Sequence, residues 1–240
     1  MKNKKYNYII IPFILLIVFL FAAYFGNQWY AEKFGNPGVD YSYIFISFNS
    51  KVPFLAWTIY PYVIAYPFWA FTFIYISVRS RENMYKILTM AIITFIICGL
   101  WYFFWQSDVE NWRLTSGLFL NNDYLTPRTD LNFTESLVMK IYLAAGPRNA
   151  LPSMHTLMSW FCIIALRLDK KIPLNMKVVI WVLAIAIIVA TQTLKQHYII
   201  DTIAGLILAE LAYWTLKNSV ITRTFAKWID SLNKKLKLEN

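Results

Sequence analysis

Long uninterrupted apolar segments constrain this chain more than any other feature of its sequence. A helix that spans the hydrocarbon core of a bilayer needs about 20 mostly apolar residues. Six segments reach or approach that length: residues 8–26, 52–78, 84–106, 153–168, 178–194 and 198–216. Hydrophobic residues make up 58% of the chain and charged residues 15%, which is more apolar surface than a soluble domain of this size hides. We therefore predict an all-α, polytopic protein of the cell membrane with six transmembrane helices.

The distribution of Lys and Arg predicts how these helices are oriented. If the N-terminus is cytoplasmic, 16 of the 23 basic residues fall in cytoplasmic segments and 7 in extracytoplasmic ones. The positive-inside rule then places both termini in the cytoplasm and the loop 107–151 outside. The net charge of +10 reflects loops that lie against anionic lipid, so we expect the bilayer and no nucleic acid as a partner. The sequence does not predict an oligomeric state.

Two segments outside the predicted spans show helical periodicity. In the loop 107–151, apolar residues recur at helical spacing and predict a helix along the membrane surface: Phe133, Leu137, Val138, Ile141 and Tyr142. Residues 1–216 form the predicted membrane domain, and residues 217–240 form a basic tail. The tail places six apolar residues on one helical face: Ile221, Phe225, Trp228, Ile229, Leu232 and Leu236. This pattern predicts an interfacial amphipathic helix, with a partner-binding helix as the alternative.

The chain has two histidines, and the predicted topology puts both at outer ends of spans. His197 and Asp201 are four residues apart, so they share one face of a helix. A carboxylate in this position accepts the proton of one imidazole nitrogen and leaves a lone pair on the other nitrogen, as a nucleophilic or basic histidine requires. A purely structural His–Asp hydrogen bond is the alternative interpretation.

The second histidine, His155, lies in the first turn of a predicted helix that follows Pro152. Proline and serine both favour helix starts, and the free N–H groups and positive dipole end there suit a phosphate. Ser153 adds a hydroxyl donor, and His155 is able to protonate a leaving oxygen. Simple capping of the helix is the alternative.

Cations in the outer loops complete the predicted site. Arg128, Arg148 and Lys195 are close in sequence to the histidines, and such side chains hold phosphate oxygens. Solvated surface charge is the alternative interpretation for each. The sequence contains no acidic cluster suited to magnesium, and its two cysteines do not indicate a zinc site. We therefore predict phosphoryl-transfer chemistry without a metal or other cofactor.

These residues resemble the motifs of the type 2 phosphatidic acid phosphatase superfamily, which are Lys-x6-Arg-Pro, Pro-Ser-x-His and Ser-Arg-x5-His-x3-Asp. The segment from Pro152 to His155 is similar to the second motif, and His197 to Asp201 is similar to the core of the third. The resemblance implies that His197 is the nucleophile, Asp201 its orienting carboxylate and His155 the general acid. It also implies that Ser153 and Arg128 bind phosphate.

The chain departs from the family pattern at four positions. Asn121 and Thr129 stand in place of the Lys and Pro of the first motif, and Ala190 and Thr191 in place of the Ser-Arg of the third. Two expected cations are therefore missing, and Lys195 and Arg148 are candidates to replace them. The stretch from Lys195 to Tyr198 followed by Asp201 resembles the branch that includes inositol phosphorylceramide synthases.

Three functions remain open from the sequence. The first is a lipid phosphatase that hydrolyses a phosphate or diphosphate monoester of a polyprenyl, phosphatidyl or diacylglycerol lipid at the extracytoplasmic face. The second is a phosphotransferase with the same phosphohistidine intermediate and an alcohol acceptor. The third is a non-catalytic lipid-binding or transport protein, against which the presence of both histidines and Asp201 argues.

Overall fold

The computed structural model of the protein describes residues 6–238. The basic residues predicted to be cytoplasmic at positions 2–5, and the last two residues of the tail, lie outside that range. The described chain is mostly helical (72%), which confirms the predicted helical architecture.

The helices follow one another along the chain, and the longest connection between them lies between residues 114 and 133. The first is continuous from Asn7 to Phe34 and consists of a 3-10 turn (Asn7–Ile9), α1 (Ile10–Phe21), a π-helical turn (Ala22–Gly26) and α2 (Asn27–Phe34). The remaining helices are α3 (Ile46–Asn49), α4 (Ile59–Arg79), α5 (Arg81–Phe104), α6 (Glu110–Leu114), α7 (Phe133–Ala145), α8 (Met154–Leu168), α9 (Leu174–Thr193), α10 (Ile199–Leu216) and α11 (Val220–Lys235). The strands β1 (Val39–Asp40) and β2 (Ser107–Asp108) pair in parallel across two loops.

Five helices in residues 6–238 are long and apolar enough to cross a membrane: Asn7–Phe34, Ala56–Arg79, Arg81–Phe104, Leu174–Thr193 and Ile199–Leu216. The predicted count of six is therefore not confirmed. The segment predicted as the fourth span forms α8, which has 15 residues and a length of about 22 Å. Nearly all of α8 is buried, because α4, α5, α9 and α10 pack around it. A helix enclosed by protein in this way need not match the thickness of the lipid.

The first helix is longer than the predicted span 8–26, because it continues through the π-helical turn. Asn27 stabilises this turn with its side-chain amide, which donates hydrogen bonds to the carbonyls of Ala23 at 2.8 Å and Gly99 at 3.1 Å. The close approach of Gly99 to Ala23 brings α5 against the turn, since a β-carbon on Gly99 would lie 3.3 Å from Ala23. The first part of the predicted loop 27–51 is consequently helical.

The helix ends gather at two opposite ends of the bundle. At the end that we call the basic end, the turn before α5 and the turn after α8 are joined by an ion pair between Arg79 and Asp169 at 2.6 Å. Helix α11 is held at the same end, where Asp230 contacts Arg81 at 2.5 Å and also contacts Tyr85. The long segment 105–153 and the turn 194–198 meet at the other end, where the Tyr142 hydroxyl donates to the Leu194 carbonyl at 2.7 Å. We call this the histidine end.

Both helices predicted outside the spans are present. In α7, an Asn132–Glu135 capping box starts the helix, Val138 and Tyr142 are buried in the bundle, and Phe133 is exposed. In α11, Ile229 is buried against the bundle, whereas the other large apolar side chains of the predicted face are partly or largely exposed. Placement of either helix at a membrane surface stays a prediction.

Candidate active site

The ring of His197 is held by a turn between α9 and α10. The backbone N–H groups of Gln196 and His197 both donate to the Thr191 carbonyl, at 2.9 and 3.2 Å, and Lys195 adopts a positive φ of 54° to make this turn. Thr191 is one of the residues that depart from the family motif, and its carbonyl positions the histidine. Backbone hydrogen bonds of this turn therefore position the buried His197 ring, in addition to its side-chain contacts.

The Nδ1 atom of His197 faces two oxygens. It lies 2.9 Å from the Ala150 carbonyl and 3.5 Å from Oδ2 of Asp201. A carbonyl oxygen only accepts hydrogen bonds, so the proton of the neutral ring belongs on Nδ1. Asp201 is itself oriented, because its Oδ2 accepts the backbone N–H of Tyr198 at 2.9 Å. The lone pair of His197 is therefore on Nε2, the nitrogen that a nucleophilic histidine would use.

His155 occupies the first turn of α8. The hydroxyl of Ser153 accepts the backbone N–H of Thr156 at 3.3 Å and caps this helix. The His155 ring stacks on Tyr62 with a centroid separation of 4.4 Å and contacts Trp69 edge-on. Its Nε2 is buried and has no hydrogen-bond partner within residues 6–238. Packing fixes this ring, while a nitrogen able to exchange a proton stays unpaired.

The structure brings the two histidines together. Their ring centroids are 6.2 Å apart. The segments that carry them are joined directly, because the backbone N–H of Ser153 donates to the Asp201 carbonyl at 3.0 Å. The four predicted residues of the second and third motifs thus form one cluster at the histidine end of the bundle.

The predicted cations have different surroundings. Lys195 is 4% exposed, donates from Nζ to the Val52 carbonyl at 2.5 Å and lies 3.7 Å from the centroid of the Trp112 ring. Burial lowers the pKa of Lys195 to about 8. Arg148 forms an ion pair with Asp108. Of these two cations, Lys195 is the more buried, and its recorded partners are uncharged, whereas Arg148 faces a carboxylate.

Arg128 makes its contacts within its own loop. Its guanidinium binds Asp130 through two hydrogen bonds of 2.9 and 2.7 Å, and its Nη1 donates to the Gly117 carbonyl. The Asp130 carboxylate raises the pKa of Arg128, and the Arg128 guanidinium lowers the pKa of Asp130. The described structure records no contact between Arg128 and either histidine, so its role in phosphate binding stays a prediction.

A cation that sequence reasoning missed lies close to this cluster. Arg113, in α6, is 2% exposed, and its Nη2 donates to the side chain of Gln196 at 2.6 Å. Arg113 does not belong to any of the motifs, and its neighbours Trp112 and Leu114 do not distinguish this segment from an ordinary loop. The one available signal was an arginine between apolar residues in an outer loop.

An apolar cavity opens beside His155, between the π-helical turn, α4 and α8. It is lined by Leu20, Tyr24, Phe25, Tyr66, Trp69, Met154, His155 and Met158. Phe25 and Tyr66 are about half exposed on the outer surface of the bundle. The cavity therefore connects the His155 ring with the lipid-facing side of the helices.

Within the part of the chain that the structure describes, no group of three or more His, Cys, Asp or Glu side chains is placed to hold a metal ion. The expectation of chemistry without a metal or cofactor stays a prediction, to be tested with the purified protein.

Fold and site together define a helical membrane protein with a paired-histidine site at one end of its bundle. The sequence model of the PAP2 superfamily matches residues 38–215, which is most of the chain, and the chain belongs to that superfamily. Comparisons with curated proteins and with solved structures find no significant match. Membership suggests a lipid enzyme of the phosphatase or phosphotransferase type.

Proposed function

We propose that the protein is a membrane lipid phosphatase that hydrolyses a phosphate or diphosphate monoester through a phosphohistidine on His197. The observation that carries this proposal is the arrangement of the His197 ring. Its Nδ1 faces the Ala150 carbonyl at 2.9 Å and Asp201 at 3.5 Å, which leaves Nε2 as the unprotonated nitrogen. A second imidazole, that of His155, lies 6.2 Å away between ring centroids.

In the first step, Nε2 of His197 attacks phosphorus and the bond from phosphorus to the leaving oxygen breaks. His155, protonated, gives its proton to that oxygen, so that a lipid alcohol or lipid monophosphate leaves. The positive charge that develops on the His197 ring is stabilised by the Asp201 carboxylate and the Ala150 carbonyl. His155 is neutral at the end of this step.

In the second step, water attacks the phosphohistidine. His155 now accepts a proton from the water as the P–N bond breaks, which releases inorganic phosphate and restores both rings. Helix N–H groups at the start of α8, the Ser153 hydroxyl and nearby cations are proposed to hold the non-bridging oxygens. Lys195 and Arg148 are the predicted cations closest in sequence to the histidines.

A lipid substrate is supported by the surroundings of His155. The apolar cavity beside this ring reaches the outer surface of the bundle between Phe25 and Tyr66, where acyl or prenyl chains would lie. An extracytoplasmic site is supported by the charge distribution, because both histidines lie at the end opposite to the basic end. We propose a polyprenyl, phosphatidyl or diacylglycerol phosphate or diphosphate as the substrate class.

A phosphotransferase is the second candidate. An alcohol can attack the same phosphohistidine in place of water, and Ala190 and Thr191 depart from the Ser-Arg of the hydrolase motif. The stretch from Lys195 to Tyr198 resembles the inositol phosphorylceramide synthase-like branch. This candidate differs from the first in the acceptor and not in the nucleophile.

One experiment separates these functions. Purified protein is incubated with each class of lipid phosphate, with and without candidate alcohols, and with excess EDTA in a parallel reaction. Release of inorganic phosphate that persists in EDTA is the expected result. A new phosphorylated lipid in place of phosphate would favour the transferase. A chain that binds these lipids but turns over none of them would favour the non-catalytic alternative.

A further inference from the structure

Arg113 is a buried cation that has no anionic partner among residues 6–238. It is 2% exposed, and its hydrogen bonds all go to uncharged oxygens. Nη1 donates to the Tyr124 hydroxyl at 2.7 Å and the Tyr142 carbonyl at 3.1 Å, and Nη2 donates to Oε1 of Gln196 at 2.6 Å. The Tyr142 ring faces the guanidinium at 4.8 Å. Within residues 6–238 no carboxylate forms an ion pair with Arg113.

A guanidinium buried in this way is costly unless a negative charge balances it. The other arginines of the outer loop meet this requirement, because Arg128 pairs with Asp130 and Arg148 pairs with Asp108. Arg113 has donors to spare, since its Nε is buried and unpaired and one N–H of Nη2 remains after the bond to Gln196. These two groups suit an anion with several acceptor oxygens.

The position of Arg113 also favours an anion bound close to the histidines. Gln196 directly precedes His197, so the hydrogen bond from Arg113 reaches the turn that holds the His197 ring. Arg113 therefore contacts the segment that positions the nucleophilic histidine.

We propose that Arg113 is a phosphate-binding residue of this site, and that the phosphate of the substrate is its missing counter-ion. It would supply one of the two cations that are absent from the motifs, where Asn121 and Thr191 stand. This inference rests on the proposed function for its substrate. Binding of a phosphate analogue by Arg113 is testable without any measurement of turnover.

The test uses orthovanadate, a phosphate analogue, and the full chain purified in detergent. Thermal unfolding midpoints are measured across a vanadate titration for the native chain and for Arg113→Met, Arg113→Lys, Arg128→Gln and Arg223→Gln. Arg223 lies on α11 at the basic end, so its variant is the matched control for loss of one exposed arginine. Turnover of a lipid phosphate is measured on the same preparations.

We expect Arg113→Met to weaken vanadate binding by about 100-fold or more, the size of effect seen when a donor to a developing oxyanion is removed. Without vanadate, its midpoint should equal or exceed that of the native chain, because an uncompensated buried charge is gone. Arg113→Lys should bind vanadate with intermediate affinity, since it keeps the charge and loses the two-donor geometry. Arg223→Gln should bind as the native chain does.

Vanadate binding by Arg113→Met within about threefold of native would overturn the inference, as would its loss in Arg128→Gln alone. Failure of both Arg113 variants to fold would also overturn it, because Arg113 would then be a structural residue. If the native chain binds vanadate through Arg113 but turns over no lipid phosphate, the proposed function fails and this inference stands. If the native chain turns over lipid phosphate while Arg113→Met binds vanadate normally, the proposed function stands and this inference fails.

Discussion

Gly205, on α10, packs directly against the backbone carbonyl of Ser153 at the start of α8. A β-carbon at position 205 would lie 2.8 Å from the Ser153 oxygen and 3.2 Å from Thr156. This close approach lets Ser153 and Asp201 share a backbone hydrogen bond of 3.0 Å. The absence of a side chain at one position thus sets the distance between the segments that carry the two histidines.

Gly205→Ala should therefore increase the distance between the segment that carries Ser153 and His155 and the segment that carries His197 and Asp201. Because the colliding atom is a backbone oxygen, α10 must move, and a displacement of this kind costs about 100-fold when it misaligns reacting groups. We expect kcat/KM to fall by at least about tenfold and the unfolding midpoint to drop. Gly26→Ala is the matched control, since a β-carbon there meets nothing within 4 Å. Equal activities for the two variants would show that the close approach does not matter.

The roles of the histidines predict different responses to the leaving group. His155→Ala removes the proton donor, a loss of about 100- to 10,000-fold on a lipid alkoxide. A nitrophenyl phosphate, if the site accepts it, needs little protonation, so His155→Ala should recover much of its activity on this substrate. His197→Ala lacks the attacking nitrogen and should recover none, and Asp201→Asn should fall between the two. Rates with both substrates measure this, and parallel responses of the two histidine variants would refute the assigned roles.

The titration of Lys195 predicts an alkaline limit to substrate binding. Burial lowers the pKa of Lys195 to about 8, so its ammonium charge is lost as the pH rises through that value. If Lys195 helps to hold phosphate, KM should rise above pH 8. Lys195→Arg, which stays charged, should remove this rise. KM measured from pH 6.5 to 9.5 for both proteins tests the point, and an unchanged alkaline limb in Lys195→Arg would exclude Lys195 as its source.

The same shift affects stability with a defined sign. An unfolded lysine titrates near 10.4, so between about pH 8 and that value the unfolded chain binds the proton and the folded chain does not. The Lys195 contribution to the free energy of unfolding should therefore increase with pH across this window. The cost of its buried charge is fully present below pH 8.

The orientation of the bundle is a separate prediction. Sixteen of the 23 basic residues lie on the side predicted to be cytoplasmic, which predicts both termini inside and the segment 107–151 outside. A reporter fused after Asn240 should read as cytoplasmic, and a cysteine introduced at Leu125, which is 87% exposed, should react with a membrane-impermeant reagent on intact cells. An external C-terminal reporter would place the site on the cytoplasmic side.

Much of the site was predictable because its chemistry depends on local spacing. The pairing of His197 with Asp201 was predictable from their spacing, although His197 lies in the turn before α10 and not, as predicted, on a helix face with Asp201. Ser153 and His155 follow from the signals of a helix start. Their association required only that two span ends meet at one side of the membrane. The apolar segments likewise predicted the helices, since burial in lipid leaves few alternatives for the backbone.

The remaining features depend on tertiary contacts that periodicity does not encode. The 15-residue α8 need not match the lipid thickness because four helices surround it, and the extension to Phe34 depends on the contact of Asn27 with Gly99. Arg113 was missed because its relation to His197 runs through the side chain of Gln196, 83 residues away in sequence. Arg128 was chosen by motif alignment, which does not reveal that Asp130 pairs with it.

The central claim is that Nε2 of His197 carries the phosphoryl group during turnover, and trapping that intermediate tests it most directly. The protein is mixed with a lipid phosphate labelled on phosphorus, quenched in alkali within milliseconds and digested. We predict an alkali-stable, acid-labile label on the peptide that contains His197, present in His155→Ala and absent from His197→Ala. Turnover by the native chain with no label on this peptide, or with the label on another residue, would contradict the account.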